Sequence, residues 1–312
     1  MRVLITGITG FVGRHLARHL GEQDDFEVLG LATGSIDRPL DLDDEHLSPD
    51  RLHNVDITDR EALGRAVAQC DPDAVVHLAG LSHVGESWRR PGDYFRVNFC
   101  GTRNLMHVAK GRRVLFASSA EVYGPVPEDE QPIPEDRPIE PRSPYAMTKA
   151  CAEEVALDHG AIVVRSFNSI GPGQSRHFAL PSFASQLAAI RAGRSEPVIQ
   201  VGDLSPKRDF LHVSDAVAGY ERVLRDGVPG RVYNLASGHS SSIADALERL
   251  RETSGVDAEI QVEAARVRPV DIPQLQGDVS RLKALGWQPR YDLHRALDDL
   301  WQETLELEGE IR

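Results

Sequence analysis

Apolar residues in this chain recur in short runs, and many of the stretches between the runs are amphipathic. Strands are predicted for the apolar runs at residues 3–5, 27–32, 53–58, 74–79, 113–117 and 161–165. Helices are predicted at residues 11–20, 59–69, 93–110, 144–159 and 181–192. Strands that alternate with helices form right-handed βαβ units, and such units build a parallel sheet. The pattern therefore predicts an α/β fold with a doubly wound parallel sheet.

The first strand leads into three glycines. Gly7, Gly10 and Gly13 have the spacing G-x-x-G-x-x-G, and the first helix begins among them. Glycine lets the backbone approach a pyrophosphate, and a helix N-terminus presents unpaired N–H groups and a positive partial charge to it. A strand-helix turn without a ligand is the alternative, but this order of elements favours a dinucleotide and a Rossmann-type sheet. The predicted contacts on this turn are Gly7, Thr9, Gly10, Phe11, Val12 and Gly13.

The carboxyl ends of the following strands form the rest of the predicted cofactor site. The further contacts predicted there are Thr33, Asp56, Ile57, Leu78, Ala79 and Gly80. NAD-binding folds often have an acid after the second strand, whereas this chain has Thr33, Gly34 and Ser35. Small hydroxyl residues leave room for a 2′-phosphate, which favours NADP. NAD stays open because Asp37 is close by, and the nearest arginine is Arg38.

The regular alternation of strands and helices weakens beyond residue 165. Residues 125–144 are rich in proline and acids, and they are predicted to form an ordered surface loop. We predict a dinucleotide-binding Rossmann domain at residues 1–165, to which segments near 209–235 return. Residues 166–312 are predicted to form mainly a smaller C-terminal α/β lobe.

Composition and charge exclude several classes of partner. The chain has 312 residues and a formal net charge of −13, which argues against nonspecific binding to nucleic acid or anionic membranes. No apolar run approaches the roughly 18 residues of a membrane span. Arg2 leads straight into the first strand, so no signal peptide is predicted. The three cysteines, Cys70, Cys100 and Cys151, suggest reduced thiols and a cytoplasmic protein.

Tyr145 and Lys149 are four residues apart in a predicted helix, so they share one face. A nearby ammonium favours the phenolate, and we expect it to lower the pKa of Tyr145 toward neutrality. Ser119 ends a strand expected beside this helix, where its hydroxyl can bind a substrate oxygen. A helix surface pair is the alternative for Tyr145 and Lys149 alone. Together the three residues predict proton transfer next to a nicotinamide.

These segments resemble the extended short-chain dehydrogenases/reductases that act on nucleotide sugars, from residue 2 to about residue 287. Besides the glycine turn, the matching segments are His77-Leu-Ala79, Ser118-Ser119, Tyr123-Gly124, Tyr145-Ala-Met-Thr-Lys149 and Arg208-Asp209-Phe210. The resemblance implies that Tyr145 is the general acid or base, Lys149 also holds the nicotinamide ribose, and Ser119 orients the sugar oxygen. It further implies a nucleotide-sugar site in the second lobe. The helices at 93–110 and 144–159 match those that pair in dimeric relatives, which implies a homodimer.

Within that family the chain is similar to the GDP-mannose branch of dehydratases and reductases. The matching segments are Ser82-His83-Val84, Ser87-Trp88, Phe167-Asn168, Gly171-Pro-Gly-Gln174, Arg268-Pro-Val-Asp271 and Gly277-Asp278. The reductase subgroup fits better, on the segments Pro181-Ser-Phe183, Glu196-Pro-Val-Ile199, Arg208-Asp-Phe210 and Asp271-Ile-Pro273. This resemblance implies NAD(P)H-dependent reduction of the 4-keto group of GDP-4-keto-6-deoxy-D-mannose, which yields GDP-D-rhamnose.

Two departures keep other activities open. Ala120 and Val122 break the Ser-Glu-Glu pattern of the reductases, and Glu121 is placed where a dehydratase has the glutamate that removes a sugar proton. The reductases also have a glutamate at that position, and the dehydratases favour threonine at the position of Ser119. Glu121 therefore does not decide between a reductase and a dehydratase. The alternatives are a GDP-mannose 4,6-dehydratase, an NAD-dependent nucleotide-sugar 4-epimerase and, from another class, a non-enzymatic dinucleotide sensor.

The substrate is expected to need local positive charge inside an acidic protein. The candidate substrate-binding residues are Ser82, His83, Asn168, Arg194, Arg208 and Arg268. The planar fork of arginine binds phosphate oxygens bidentately, and Arg208 and Arg268 lie in matching motifs. Arg194, like Arg176, fits a solvated surface charge equally well. His15 and His19 have no third ligand nearby in the sequence, so no metal is predicted.

Overall fold

A seven-stranded parallel sheet forms the centre of the protein, and the computed structural model describes residues 1–33, 51–267 and 272–309. The strands are β1 (Arg2–Thr6), β2 (Glu27–Ala32), β3 (Leu52–Asn54), β4 (Ala74–His77), β5 (Arg113–Ser119), β6 (Ile162–Ser166), β7 (Asn168–Ile170), β8 (Val198–Val201), β9 (Lys207–His212), β10 (Val232–Leu235), β11 (Ser240–Ser242), β12 (Glu259–Val262) and β13 (Gln274–Leu275). The central sheet has the order β3-β2-β1-β4-β5-β6-β10, with every neighbouring pair parallel. This is the predicted doubly wound α/β sheet.

Helices cover both faces of the central sheet and build the rest of the chain. The α-helices are α1 (Phe11–Gly21), α2 (Arg60–Cys70), α3 (Val84–Ser87), α4 (Pro91–Tyr94), α5 (Thr102–Val108), α6 (Pro144–Asp158), α7 (Ala179–Arg191), α8 (Val213–Asp226), α9 (Ile243–Ser254), α10 (Ser280–Lys283) and α11 (Leu293–Leu307). A π-helical segment, Phe95–Gly101, lies between α4 and α5, and 3₁₀ turns occur at Ala120–Tyr123, Glu128–Glu130 and Ala264–Arg266. In the described part of the chain, no helix has the length and apolar character needed to cross a bilayer.

Most strands of the central sheet are predominantly apolar because they are buried on both faces. Val3 and Ile5 of β1 belong to a core with residues of α1 and α8. Leu4, between them, belongs to the opposite core with residues of α2, α5 and α6. Since successive strand residues point to opposite faces, a continuous apolar run fills both layers.

The order of the strands locates a crevice at the centre of the sheet. From β1 the sheet continues to β2 and β3 on one side, and to β4, β5 and β6 on the other. Such a switch in direction leaves an opening outside the carboxyl ends of the strands, where α/β sheets bind ligands. The glycine turn follows β1 at this opening, and Leu78–Gly80 follow β4.

Two small sheets and a third core lie in the C-terminal part of the chain. Strand β9 pairs with β7, β11 and β13, while β8 pairs with β12. Helices α7, α9 and α11 contribute Leu187, Leu250, Leu300 and Trp301 to the third core. Strand β10 returns to the central sheet beside β6.

Three predicted elements differ from the structure. Strand β3 ends at Asn54 rather than at residue 58, because Asp56 Oδ1 accepts a hydrogen bond from Thr58 N, 2.8 Å away, and turns the chain. The helix predicted at 93–110 is divided by the π-helical segment. The loop at 125–144 is less superficial than predicted, since Ile133 is fully buried and pairs with Gly277, and Glu135 is also buried.

Candidate active site

The glycine turn after β1 requires glycine at two of its positions. Gly7 has φ +72°, and a Cβ there would lie 2.8 Å from Ala79 Cα. A Cβ on Gly13 would lie 2.2 Å from the Gly7 carbonyl oxygen. Gly10 precedes α1 and is exposed, and no side chain caps the N-terminus of α1. The turn therefore combines close packing underneath with an accessible helix N-terminus, which suits a phosphate ligand.

The other predicted cofactor contacts lie at the carboxyl edge of the same sheet. Thr33 follows β2 and is exposed, whereas Ile57 is buried after β3. Leu78 N donates to Thr6 O at 3.1 Å, and Ala79 N donates to Thr6 Oγ1 at 3.2 Å. The structure thus brings the candidates on four neighbouring strand ends to one edge. Gly34, Ser35, Asp37 and Arg38, which bear on the choice between NADP and NAD, lie outside the described residues.

Helix α6 brings Lys149 against β5. Ser143 caps this helix by accepting from Ala146 N, and Pro144 occupies its first turn, where no intrahelical N–H is needed. Lys149 Nζ donates to Ala117 O at 2.5 Å and lies 4.8 Å from the centre of the Phe116 ring. Burial lowers the pKa of Lys149 to about 8, although the charge of Glu153 opposes this shift.

Tyr145 is 7% exposed, and its ring packs edge-on against Tyr94 with 6.3 Å between the ring centres. Burial raises the pKa of Tyr145 to about 12; a hydrogen bond with Ser119 lowers it, and the charge of Glu121 raises it further. The expected lowering of the pKa is therefore wrong. The desolvation of a phenolate outweighs the neighbouring groups, and the tyrosine is neutral at physiological pH.

The third predicted catalytic group, Ser119, lies at the end of β5. Its side chain accepts from Glu121 N at 3.2 Å, which begins the 3₁₀ turn Ala120–Tyr123. The hydroxyl of Ser119 is also in hydrogen-bond contact with Tyr145. Ser119, Tyr145, Lys149 and Glu121 therefore lie where the end of β5 meets α6, and a Cβ on Gly80 would be 3.9 Å from Lys149 Nζ. A tyrosine hydroxyl, a serine hydroxyl and an ammonium in this arrangement can hold an oxygen and transfer a proton to it.

Asn98, a buried polar residue in the π-helical segment, was not among the predicted site residues. Its Oδ1 accepts from Leu81 N at 2.8 Å, and its Nδ2 donates to Leu81 O and to Thr148 Oγ1. Thr148 Oγ1 donates to Tyr145 O. Asn98 therefore connects the loop after β4 to the helix of Tyr145. The signal in the sequence was a polar residue in the middle of a long helical stretch, and π-helical segments are frequent at functional sites.

A second missed network starts at His77, the last residue of β4. Its Nδ1 lies 2.6 Å from Thr6 Oγ1, and its Nε2 lies 2.9 Å from Thr102 Oγ1. Thr102 Oγ1 in turn donates to Asn98 O. Burial, followed by the charge of Lys149, lowers the pKa of His77 to about 3, so the ring is neutral. Its role is to fix the strand ends around the crevice.

A cavity of about 490 Å³ lies between the loop after β4 and the C-terminal part of the chain. Its lining includes His83, Trp88, Phe178, Asp203 and Arg266. His83 begins α3, where its Nδ1 accepts from Glu86 N, and its ring packs against Phe178. Tyr145 shares a small apolar cluster with Val84 of α3, whose neighbours in the chain, His83 and Gly85, line the cavity. A cavity of this size suits part of a nucleotide sugar.

The predicted substrate residues differ in their burial and in their position in the fold. Ser82 is exposed beside the cavity-lining His83, and Asn168 is exposed on β7, which is paired with β9. Arg208 of β9 is buried, and its Nη1 donates to Ile272 O at 2.7 Å. Arg268 lies outside the described residues.

The structure does not bring Arg194 to the cavity. Its Nη1 lies 2.5 Å from Glu308 Oε2 at the end of α11, and Arg176 Nη2 lies 2.8 Å from the other oxygen of the same carboxylate. Both arginines are about half exposed, at 52% for Arg176 and 49% for Arg194. Their positions fit the alternative interpretation, in which Arg176 and Arg194 are solvated surface charges.

The remaining polar candidates form ordinary structural contacts. His15 Nε2 lies 2.8 Å from Pro172 O, and His19 Nε2 lies 2.6 Å from Glu221 Oε2. Within residues 1–33, 51–267 and 272–309, no group of three histidine, cysteine or acidic residues is arranged to hold a metal ion. Cys70, Cys100 and Cys151 are free thiols.

Known proteins match this chain over nearly its full length. The model of the family GDP-mannose 4,6 dehydratase matches residues 4–300. GDP-6-deoxy-D-mannose reductase of Pseudomonas aeruginosa is 34% identical over 308 residues, covering 95% of this chain and 94% of that protein.

Solved structures agree with this assignment. The structure of RMD from Pseudomonas aeruginosa complexed with NADPH has a TM-score of 0.85 at 33% identity, with 100% of both chains covered. UDP-glucose 4-epimerase of Thermus thermophilus in complex with NAD has a TM-score of 0.85 at 27% identity, also with 100% of both chains covered. The sheet order, the glycine turn and these matches lead to one conclusion: the chain belongs to the GDP-mannose 4,6 dehydratase family, among the extended short-chain dehydrogenases/reductases of nucleotide sugars.

Proposed function

We propose that this protein is an NAD(P)H-dependent reductase that converts the 4-keto group of GDP-4-keto-6-deoxy-D-mannose to the alcohol, giving GDP-D-rhamnose. The observation that carries the proposal is the neutral Tyr145 hydroxyl, buried and hydrogen-bonded to Ser119, at the carboxyl edge of a dinucleotide-type sheet. The similarity to a GDP-6-deoxy-D-mannose reductase supports the choice of substrate. A dinucleotide sensor would have no use for this set of proton-transfer groups.

The residues at the sheet edge fit a nicotinamide dinucleotide. The turn from Gly7 to Gly13 packs too closely on the backbone beneath it to accept a Cβ at Gly7 or Gly13, and no side chain caps the N-terminus of α1. These residues would hold the pyrophosphate, and Lys149 would hold the nicotinamide ribose. When bound, the reduced nicotinamide supplies the hydride that adds to C4 of the sugar.

Tyr145 then acts as the proton donor. Its pKa of about 12 keeps the proton on the hydroxyl until the sugar oxygen gains negative charge. Ser119 donates a hydrogen bond to the same oxygen and holds it in place. The Lys149 ammonium lies one helical turn from Tyr145 and favours the tyrosinate that remains after proton transfer. Arg208, His83, Ser82 and Asn168 are proposed to position the nucleotide sugar, together with Arg268.

The stoichiometry of the reaction tests this proposal. Purified protein is incubated with GDP-4-keto-6-deoxy-D-mannose and excess NADPH, and absorbance and product mass are recorded. We expect one NADPH consumed per sugar and a product heavier by two hydrogens, because hydride and proton both enter the product. Parallel incubations with UDP- and dTDP-linked 4-keto sugars serve as the control for the nucleotide base. Absence of turnover with every sugar would contradict the proposal.

A dehydratase is the second candidate, and one observation favours it. Glu121 is close enough to Tyr145 for its charge to raise the pKa of the tyrosine, so its carboxylate is a candidate base for a sugar proton. A dehydratase returns its hydride to the same sugar and shows no net use of cofactor. Loss of water from GDP-mannose without added NADPH would support this candidate, and Glu121→Gln should then abolish the reaction.

We expect NADPH to bind at least as tightly as NADH. Thr33, at the end of β2, is a small uncharged residue, which leaves space for a 2′-phosphate and offers no carboxylate to the 2′-hydroxyl. Fluorescence titration of the protein with each nucleotide measures the two dissociation constants under one set of conditions. A clear preference for NADH would show that another group reads the ribose hydroxyl.

We also propose the division of labour along the chain and the oligomeric state. Residues 1–165, with segments near 209–235, would form the cofactor domain, and 166–312 would provide most of the nucleotide-sugar site. Phe95 of the π-helical segment and Met147 of α6 are large apolar residues exposed to 38% and 43%. Cys151 is exposed one turn after Met147. These residues support a homodimer formed through this helical face.

A further inference from the structure

We propose that Glu153 is a positioning residue for the catalytic set, because it holds β5, which ends in Ser119, against α6, which carries Tyr145 and Lys149. This inference rests on the proposed roles of those three residues. Glu153 is 1% exposed and lies one helical turn after Lys149. Nothing in the proton-transfer reaction itself uses this carboxylate.

The first link is a hydrogen bond from β5. Ser118 Oγ donates to Glu153 Oε2 at 2.6 Å, and Ser118 is itself buried. Because Ser118 immediately precedes Ser119, this bond fixes the end of β5 relative to α6. A shift of this strand end would change the distance between the hydroxyls of Ser119 and Tyr145.

The second link is a buried ion pair with β6. Arg165 Nη2 donates to Glu153 Oε1 at 2.5 Å, and Arg165 Nε donates to the same oxygen at 3.1 Å. The guanidinium of Arg165 also lies over the ring of Tyr123, 4.7 Å from its centre. Tyr123 ends the 3₁₀ turn that starts after Ser119. Glu153 and Arg165 therefore contact the chain on both sides of Ser119, directly through Ser118 and indirectly through Tyr123.

The third link reaches the loop at 125–144 and the C-terminal part of the chain. Arg165 Nη1 donates to Glu135 O at 3.0 Å, and the Glu135 carboxylate lies 3.6 Å from Arg281 Nε of α10. Burial is the main influence on the pKa of Glu135 and raises it. Glu153 is thus bonded to β5 and β6, and Arg165 is in turn held by the loop at 125–144, which gives Glu153 the rigidity that a positioning residue needs.

The same carboxylate also acts on Lys149 by its charge. Glu153 on α6 and His77 on β4 are titratable groups that interact electrostatically with Lys149. His77 is neutral at physiological pH, because its pKa is about 3, and Tyr145 is neutral because its pKa is about 12. The negative charge of Glu153 therefore favours the ammonium form that the proposed reaction requires, against the burial that disfavours it.

Titration of Lys149 in the ligand-free protein tests the electrostatic part directly. The chain has four lysines, Lys110, Lys149, Lys207 and Lys283, so ¹³C-lysine labelling gives a simple spectrum that a Lys149→Arg variant assigns. In Glu153→Gln we expect the Lys149 midpoint to fall by about one pH unit, because the opposing negative charge is gone. Glu153→Asp retains the charge and is expected to keep the midpoint near that of the parent. An unchanged midpoint in Glu153→Gln would overturn the electrostatic coupling.

Steady-state kinetics tests the positioning part. Ser118→Ala removes the hydrogen bond but leaves Glu153 and Arg165 in place, so we expect kcat to fall by about 10–100-fold, with little change in the KM for the nucleotide sugar. The Lys149 midpoint should not move in this variant. The control for loss of a buried polar contact elsewhere in the fold is Asp215→Asn, because the Asp215 carboxylate is 1% exposed and accepts from the backbone N–H groups of Arg290 and Tyr291.

The outcomes separate this inference from the proposed function. An equal loss of kcat in Asp215→Asn and Ser118→Ala, or an unchanged kcat in Ser118→Ala, would contradict a positioning role. Full turnover in a Tyr145→Phe variant would instead remove the proposed function. The lysine titration needs neither substrate nor cofactor. It therefore tests the electrostatic coupling of Glu153 and Lys149 even if Tyr145→Phe retains full turnover.

Discussion

Replacement of Tyr145 by phenylalanine is expected to lower kcat by about 10²–10⁴-fold, the usual contribution of a positioned general acid. The ring and its packing against Tyr94 and Val84 are retained, so only the hydroxyl is lost. NADPH affinity should stay near that of the parent protein, because the glycine turn and Lys149 are untouched. Stopped-flow or steady-state measurement of NADPH oxidation with the 4-keto sugar measures the effect, and fluorescence titration checks the binding.

Tyr233→Phe is the matched control for this change. Tyr233 of β10 is also buried, at 1% exposure, and its hydroxyl accepts from Val228 N at 3.0 Å. Strand β6 separates β10 from β5, which carries Ser119. We expect this variant to lose some stability and to retain its turnover. If Tyr145→Phe and Tyr233→Phe lost the same small factor in kcat, Tyr145 would be a packing residue rather than the acid.

Replacement of Gly13 by alanine is expected to abolish tight NADPH binding and to destabilise the fold by about 1–3 kcal/mol, as overpacked sites do. The new Cβ would lie 2.2 Å from the Gly7 carbonyl oxygen and 2.8 Å from Ile8 Cα, and backbone atoms cannot rotate away. Helix α1 must shift, and its N-terminus then moves from the pyrophosphate position. Denaturant unfolding and NADPH titration measure the two effects.

Gly64→Ala provides the comparison in a helix on the opposite face of the central sheet. Gly64 lies in α2, and a Cβ there would contact Val108 Cγ1 at an ordinary 3.5 Å. This variant should gain up to about 1 kcal/mol from helix propensity and bind NADPH normally. Normal NADPH binding by Gly13→Ala would be evidence against a pyrophosphate at this turn.

Local sequence patterns predicted the central sheet well because burial on both faces leaves continuous apolar runs. The runs at 27–32 and 113–117 coincide with strands, and Glu27–Ala32 matches β2 at both ends. The helix of Tyr145 was equally predictable, since Pro144 is typical of a first helical turn. The predicted family is confirmed by the match over residues 4–300. The roles of Ser119, Tyr145 and Lys149 stay predictions until the variants are measured.

Patterns failed where long-range contacts override local preference. No local sequence pattern predicts the π-helical segment. Within it, Asn98 forms hydrogen bonds with Leu81 and Thr148, which lie far away in the sequence. Ile133 and Glu135 lie in a proline-rich stretch, yet Gly277 and Asn234 from distant segments bury them. The residues near these positions in the sequence do not indicate such partners.

Local sequence is sufficient to predict the order of strands and helices, the glycine turn and the shared helical face of Tyr145 and Lys149, because each depends on residues within a few positions of one another. The electrostatics of the site depend on the complete fold. Burial raises the pKa of Tyr145 to about 12 and lowers that of Lys149 to about 8, opposite to the expectation for the tyrosine. Desolvation depends on what the whole fold packs around a group, and Glu153 acquires its partners Ser118 and Arg165 only when β5, β6 and α6 come together.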